Sequence, residues 1–182
     1  MIVCIVGFEG VERNLLNSIR EGVEEVLGEG TCTILDEVLK LPSEAYNHLR
    51  GQYMSEQLLK EVSKLAMGGK YKDSILLGVA DVDIYAHGMN FIFGLAQCPG
   101  RAALISLFRL RPEFYGENPN KSLFLERAIK EALHEIGHTL GLKHCRDPLC
   151  VMYFSLHIGM TDRKSKFFCR YCLKNLRHIF QR

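Results

Sequence analysis

The stretch His134-Glu135-Ile136-Gly137-His138-Thr139-Leu140-Gly141-Leu142-Lys143-His144-Cys145 gathers three imidazoles, a carboxylate and a thiol in one short run, and the rest of the chain reads outward from it. On a helix, residues i and i+4 share a face with Cβ atoms roughly 5–6 Å apart, so the imidazoles of His134 and His138 can share one metal ion. Glu135 stands beside them and is suited to carry a proton without being a ligand. Gly141 allows the helix to stop in a left-handed turn, and the reversed chain can return His144 to the same ion as a third ligand. Three neutral nitrogens leave a coordination position open, as catalytic zinc requires and structural zinc does not. A helix whose histidines merely pack or face solvent is the alternative for a bare HExxH. Gly141 and His144 at matching offsets argue against it, and the extended pattern is that of a zinc hydrolase.

Downstream, Met152 follows the third histidine in Cys150-Val151-Met152-Tyr153 and suits an apolar floor under the imidazoles. Cys145 and Cys150, then Cys169-Arg170-Tyr171-Cys172, form two pairs with the spacing of a closed four-thiolate zinc site. Two disulfides, a redox CxxC and buried free thiols are the rival readings. Disulfides need an oxidising compartment. The opening Met1-Ile2-Val3-Cys4-Ile5-Val6-Gly7 has no basic region, long apolar core or cleavage signature, which predicts a cytoplasmic protein with reduced, metal-binding thiols. Cys4, Cys32 and Cys98 lie in apolar runs and read as buried small hydrophobes.

On these residues the chain resembles the archaemetzincins, the metzincin branch in which a cysteine directly follows the third zinc histidine and is succeeded by another cysteine, the Met-turn methionine and a late CxxC. Upstream, Asp81-Val82-Asp83-Ile84-Tyr85 and Asn90-Phe91-Ile92-Phe93-Gly94, followed by Gly100-Arg101-Ala102-Ala103, look like the family's central strands. The resemblance implies a catalytic zinc on His134, His138 and His144, with Glu135 as general base. It implies a second, structural zinc on Cys145, Cys150, Cys169 and Cys172, and Met152 in the Met-turn. The implied activity is zinc-dependent peptide hydrolysis. Some metzincins place a tyrosine two residues beyond the Met-turn methionine. Phe154 occupies that position here, and Tyr153 is one residue early, so oxyanion stabilisation is expected to fall to the metal and a backbone N–H.

At 182 residues and 47% hydrophobic, the chain can bury a full core. A single metzincin-like domain is expected, with residues 1–141 carrying the sheet and active-site helix and 142–182 the Met-turn and four-cysteine site. No run is long enough to cross a membrane. The net charge of +2 hides an asymmetry, because from Lys143 to Arg182 the basic residues face only Asp147 and Asp162. A basic four-cysteine module can hold nucleic acid through phosphate contacts. The alternative function is therefore a non-catalytic, zinc-stabilised binding protein of that kind. Slight aromatic interleaving and the presence of Glu135 favour the peptidase, with a peptide or protein as partner and a monomer as the expected state.

Periodicity predicts a strand over Ile2–Phe8, a helix over Val11–Leu27, a strand over Thr31–Leu39, a helix over Tyr53–Met67 and a buried strand over Ser74–Val79. That β-α-β-α-β order implies parallel pairing with right-handed crossovers, hence an α/β fold. Phe91–Gln97 and Ala102–Leu107 read as a hairpin that leaves one strand at the sheet edge. Within it, Asn90–Gly94 is expected to end near the zinc. Asn120–Leu140 is the long helix carrying the metal motif, with Pro119 and Ser122 suited to its start.

Overall fold

The computed structural model describes residues 2–180. Its larger sheet begins with β1 (Ile2–Phe8) and β5 (Ser74–Ala80), whose apolar residues are buried almost throughout. Strands covered on both faces need no polar alternation, and both read as continuous hydrophobic runs. Around them lie β2 (Cys32–Leu39), β8 (Ala102–Ser106) and β7 (Gly94–Ala96), in the order β2-β1-β5-β8-β7. All pairs are parallel except β7 with β8, which form the expected antiparallel hairpin in the register Gly94 to Ile105, Leu95 to Leu104 and Ala96 to Ala103.

The helices cover both faces. α1 (Arg13–Leu27) and α3 (Lys121–Thr139) share one core with Val3, Ile5 and Leu77, while α2 (Ser55–Met67) packs on the other face against Cys4, Val6 and Leu76. Alternate residues of β1 thus enter opposite cores, as the period of a strand dictates. α1 approaches α3 where Gly22 has no side chain, and a Cβ there would occupy the space of Ile129.

Two upstream expectations are corrected. Asp81–Tyr85 is not a strand of the main sheet: only Ile84–Tyr85 is extended, as β6, in a small second sheet with β3 (Tyr46–Asn47) and β4 (Gln52–Met54). The aspartates explain the break, since carboxylates cannot line a buried strand without partners. Asp83 accepts two hydrogen bonds from Arg109, both 2.7 Å, and Asp81 holds Arg111. Asn90–Gly94 is likewise not the edge strand, which starts only at Gly94. The run before it crosses from the small sheet, with Ile92 N–H donating to Ile84 O, and buries Phe93 in the core.

α3 begins where Asn120 accepts from Leu123 N–H at 3.0 Å, so Asn120, and neither Pro119 nor Ser122, is the cap. From Arg127 to Gly137 every residue is buried. Burial of so many charges requires partners for each. They come from α4 (Ile158–Arg163) and its flank: Asp162 takes two bonds from Arg127 at 2.6 and 2.8 Å, Lys130 donates to the carbonyls of Thr161 and Asp162, and Glu131 meets Lys164 at 2.9 Å. The described chain ends in α5 (Arg170–Phe180), and Arg182 lies outside the described residues.

Candidate active site

The C-terminus of α3 builds the site by backbone hydrogen bonding. Gly141 has φ 86°, its N–H donates to His138 O at 2.8 Å, and Leu142 N–H donates to Gly137 O at 3.0 Å. This pair of bonds is a Schellman motif, which closes the helix and turns the chain back. Leu142 O then accepts from His138 Nδ1 at 2.7 Å, and Val151 O accepts from His134 Nδ1 at 2.8 Å. With each Nδ1 committed to a carbonyl, the Nε2 atoms are free to bind, and they stand 3.2 Å apart. A tetrahedron with zinc–nitrogen arms of about 2.0–2.1 Å has edges of about 3.3–3.4 Å, so the separation fits a shared ion. One donor atom from each of His134, His138 and His144 lies within 4.8 Å of the others.

Burial holds the His134 imidazole well below its usual pKa, with Lys164 and His138 acting in the same sense. Burial likewise lowers His138 and His144. Neutral imidazole is the form that binds metal. Glu135 is 5% exposed, and burial raises its carboxyl well above the carboxylate range, assisted by Glu131 and opposed by Lys164. Its carboxylate fits against β7 because residue 94 is glycine: a Cβ there would lie 2.6 Å from Glu135 Oε1 and 2.8 Å from Leu104 O. Sequence reading missed this role for Gly94, since no local pattern reveals a contact between a strand and a distant helix.

Met152 is fully buried beneath the helix, where Gly137 leaves room for it, and Phe168 fills the same space. A two-stranded bridge joins Cys145 to Tyr153, with Cys145 N–H donating to Met152 O at 2.9 Å, so the residue after His144 is tied to the Met-turn. Phe154 lies against His144 with ring centroids 4.6 Å apart and offers no hydrogen-bond donor. The three histidines, Glu135, Phe154 and the outer edge of β7 line a cleft of about 250 Å³. Cys98 also lines it. Contrary to expectation this cysteine is exposed, at the hairpin tip, where an apolar neighbourhood in sequence does not become one in space; its thiol donates to Leu142 O at 3.5 Å.

The four late cysteines form a second cluster. Cys145 Sγ lies 3.7 Å from Cys169 Sγ, and Cys150 Sγ 3.7 Å from Cys172 Sγ. These distances exceed a disulfide bond of about 2.05 Å, yet they match the edge of about 3.8 Å of a tetrahedron with zinc–sulfur arms of about 2.3 Å. Cys169 N–H donates to Cys150 Sγ at 3.3 Å. Burial pushes the Cys150 thiol up to about 11, and burial with the neighbouring Cys150 raises Cys172 further. Both donor sets fit zinc in ligand type and spacing.

Comparison with known proteins agrees with this geometry. The model of peptidase family M54 matches residues 1–178. Archaemetzincin from Methanocaldococcus jannaschii is 46% identical over 97% of this chain and 93% of its own. The crystal structure of archaemetzincin from Methanopyrus kandleri superposes with a TM-score of 0.85 at 40% identity, covering 100% of this chain and 96% of that one. A zinc-dependent peptidase from Methanocorpusculum labreanum superposes with a TM-score of 0.82 at 29% identity, over 96% and 99% of the two chains. Among the described residues no helix is long and apolar enough to cross a membrane. A motif-bearing helix, an edge strand beside it and relatives matched over nearly their whole length leave one assignment: the chain belongs to peptidase family M54 and is a zinc metallopeptidase of archaemetzincin type.

Proposed function

We propose that His134, His138 and His144 hold a catalytic zinc, that Cys145, Cys150, Cys169 and Cys172 hold a structural one, and that Glu135 is the general base of peptide hydrolysis. The observation that carries this reading is the convergence of three histidine donor atoms beside a buried carboxylate in one cleft. Zinc, when bound, polarises a carbonyl and makes water acidic enough to react near neutral pH. Glu135 takes the proton from the attacking water and returns it to the departing amine. Val151 O and Leu142 O keep His134 and His138 in the tautomer that presents Nε2. Extended substrate lies along the open edge of β7, where Gly94–Ala96 has a strand partner on one side only. Phe154 supplies no donor to the developing oxyanion, so this chain's contribution there comes from backbone N–H groups.

Glu135→Ala and Glu135→Gln test the assignment. Peptide hydrolysis is expected to be lost while zinc content stays at two ions per chain, read by elemental analysis of purified protein. Wild-type turnover in either variant removes the general-base role, and loss of metal makes Glu135 a ligand instead.

A further inference from the structure

One turn before Glu135 on α3, Glu131 lines the same cleft although it is only 3% exposed. Its two polar contacts both fall on Oε1: Lys164 Nζ at 2.9 Å and Thr161 Oγ1 at 3.2 Å. Oε2 has no hydrogen-bond partner among the described residues. Ser155 belongs to the lining of the same cleft, and its Oγ is buried and without a partner among the described residues. Apolar side chains close the remaining walls, Ile92 from the segment before β7 and Leu156 beyond the Met-turn. Among the described residues Ser155 Oγ is the buried side-chain polar atom without a partner, and Glu131 Oε2 is unpaired in the same cleft, so a ligand that reaches both gains a hydrogen bond at each.

We propose that Glu131 and Ser155 are specificity-determining residues, which select a neutral substrate side chain ending in hydrogen-bond donors, such as glutamine or asparagine, for the recess beside the catalytic metal. The inference rests on the peptidase reading. Glu131 Oε2 accepts an amide N–H, and Ser155 Oγ, able to donate or accept, takes the other end of the same amide. The charge on Glu131 is already matched by Lys164, which is fully buried and also donates to Tyr153 O at 3.5 Å. A lysine or arginine entering the recess would bring a second cation beside Lys164, whose charge already answers that of Glu131. An aliphatic side chain would cover Glu131 Oε2 and supply a partner to neither polar atom.

The test uses zinc-loaded full-length protein and hydroxamates of 2-substituted succinic acid, which anchor on the metal and present a single side chain to the cleft. Three probes carry the side chains of glutamine, its near-isostere methionine, and lysine, and dissociation constants are measured by calorimetry. The glutamine probe is expected to bind roughly ten- to a hundredfold tighter than the methionine probe, as one or two satisfied buried hydrogen bonds imply. Ser155→Ala is expected to shrink that ratio without changing affinity for the methionine probe. Glu131→Gln paired with Lys164→Met removes both charges together, so that no buried ion is orphaned, and should weaken the preference further. Equal binding of the glutamine and methionine probes, tightest binding of the lysine probe, or a ratio unmoved by Ser155→Ala overturns the inference. Because binding is read without turnover, failure of peptide hydrolysis counts against the peptidase mechanism alone.

Discussion

The two candidate metal-ligand clusters are built on opposite principles. His134 and His138 sit in the buried half of a 19-residue helix, with ring orientations set by two backbone carbonyls. Their positions follow from the fold. The four cysteines stand on loops and at the start of α5, near α4, which is only six residues long. Helices shorter than about 12–15 residues are marginal alone, so these segments depend on what they are tied to. For the histidines the fold supplies the geometry; for the cysteines the proposed ion would supply part of the fold.

The largest effect expected from this contrast separates the two ions. In Cys169→Ser with Cys172→Ser, one zinc should be lost and stability should fall by several kcal/mol or about that order, since metal binding free energy is folding free energy where the site is not otherwise formed. Limited proteolysis should then cut within residues 142–180. His144→Ala, at an exposed position, should also lose one zinc but leave those residues protected. Equal protease resistance in the two variants would break the contrast.

A smaller effect probes the place where the clusters touch. Gly137 faces both Met152 and Phe168, and an added Cβ would approach Phe168 Cε1 to 3.1 Å and crowd Met152 more closely still. Overpacking of this kind costs about 1–3 kcal/mol, more than the gain of up to about 1 kcal/mol from replacing glycine by alanine in a helix. Gly137→Ala should therefore lower the melting temperature, and zinc affinity at the histidine site should fall with it as Met152 is displaced. A raised melting temperature would show that Met152 and Phe168 yield freely, and that the floor of the site is loose.

Removing the helix cap should do less. Asn120→Ala deletes the bond to Leu123 N–H, worth about 1 kcal/mol, a full helix length away from the histidines. The expected result is a modestly lower melting temperature with both zinc ions and peptide hydrolysis retained, checked by calorimetry and elemental analysis.

What could be read in the chain divides along similar lines. The histidine motif, Gly141 and the alternating strands and helices are local patterns, and periodicity exposes them. The hidden features are contacts between distant elements. Arg127, Lys130 and Glu131 look like an exposed helix face, yet all three are buried because Thr161, Asp162 and Lys164 arrive from more than 30 residues away to meet them. Asp81 and Asp83 sit among apolar residues that suggest a strand, but their arginine partners lie in a later segment and pull them out of the sheet. Cys98 shows the converse: an apolar sequence neighbourhood at a hairpin tip is exposed. The excess of basic residues after Lys143 also changes meaning once folded, because Lys164 faces Glu131 and Lys166 faces Glu25.

That last pair supplies the smallest predicted effect and the sharpest test of what holds the C-terminal part in place. Lys166 Nζ lies 2.5 Å from Glu25 Oε2 on α1, joining segments far apart in sequence, yet the glutamate side chain is 59% exposed. Exposed ion pairs contribute about 0–1 kcal/mol, because water screens the attraction and ordering two long side chains costs entropy. Lys166→Ala should thus leave zinc content and protease resistance unchanged, and shift the melting temperature slightly at low salt and less at high salt. If charge docking were the main tether, this single variant would expose residues 142–180 to protease as fully as the paired cysteine variant does, and adding salt to wild type would do the same. Under the metal-stapled arrangement salt does neither, while a chelator that removes the ion from the cysteines does both.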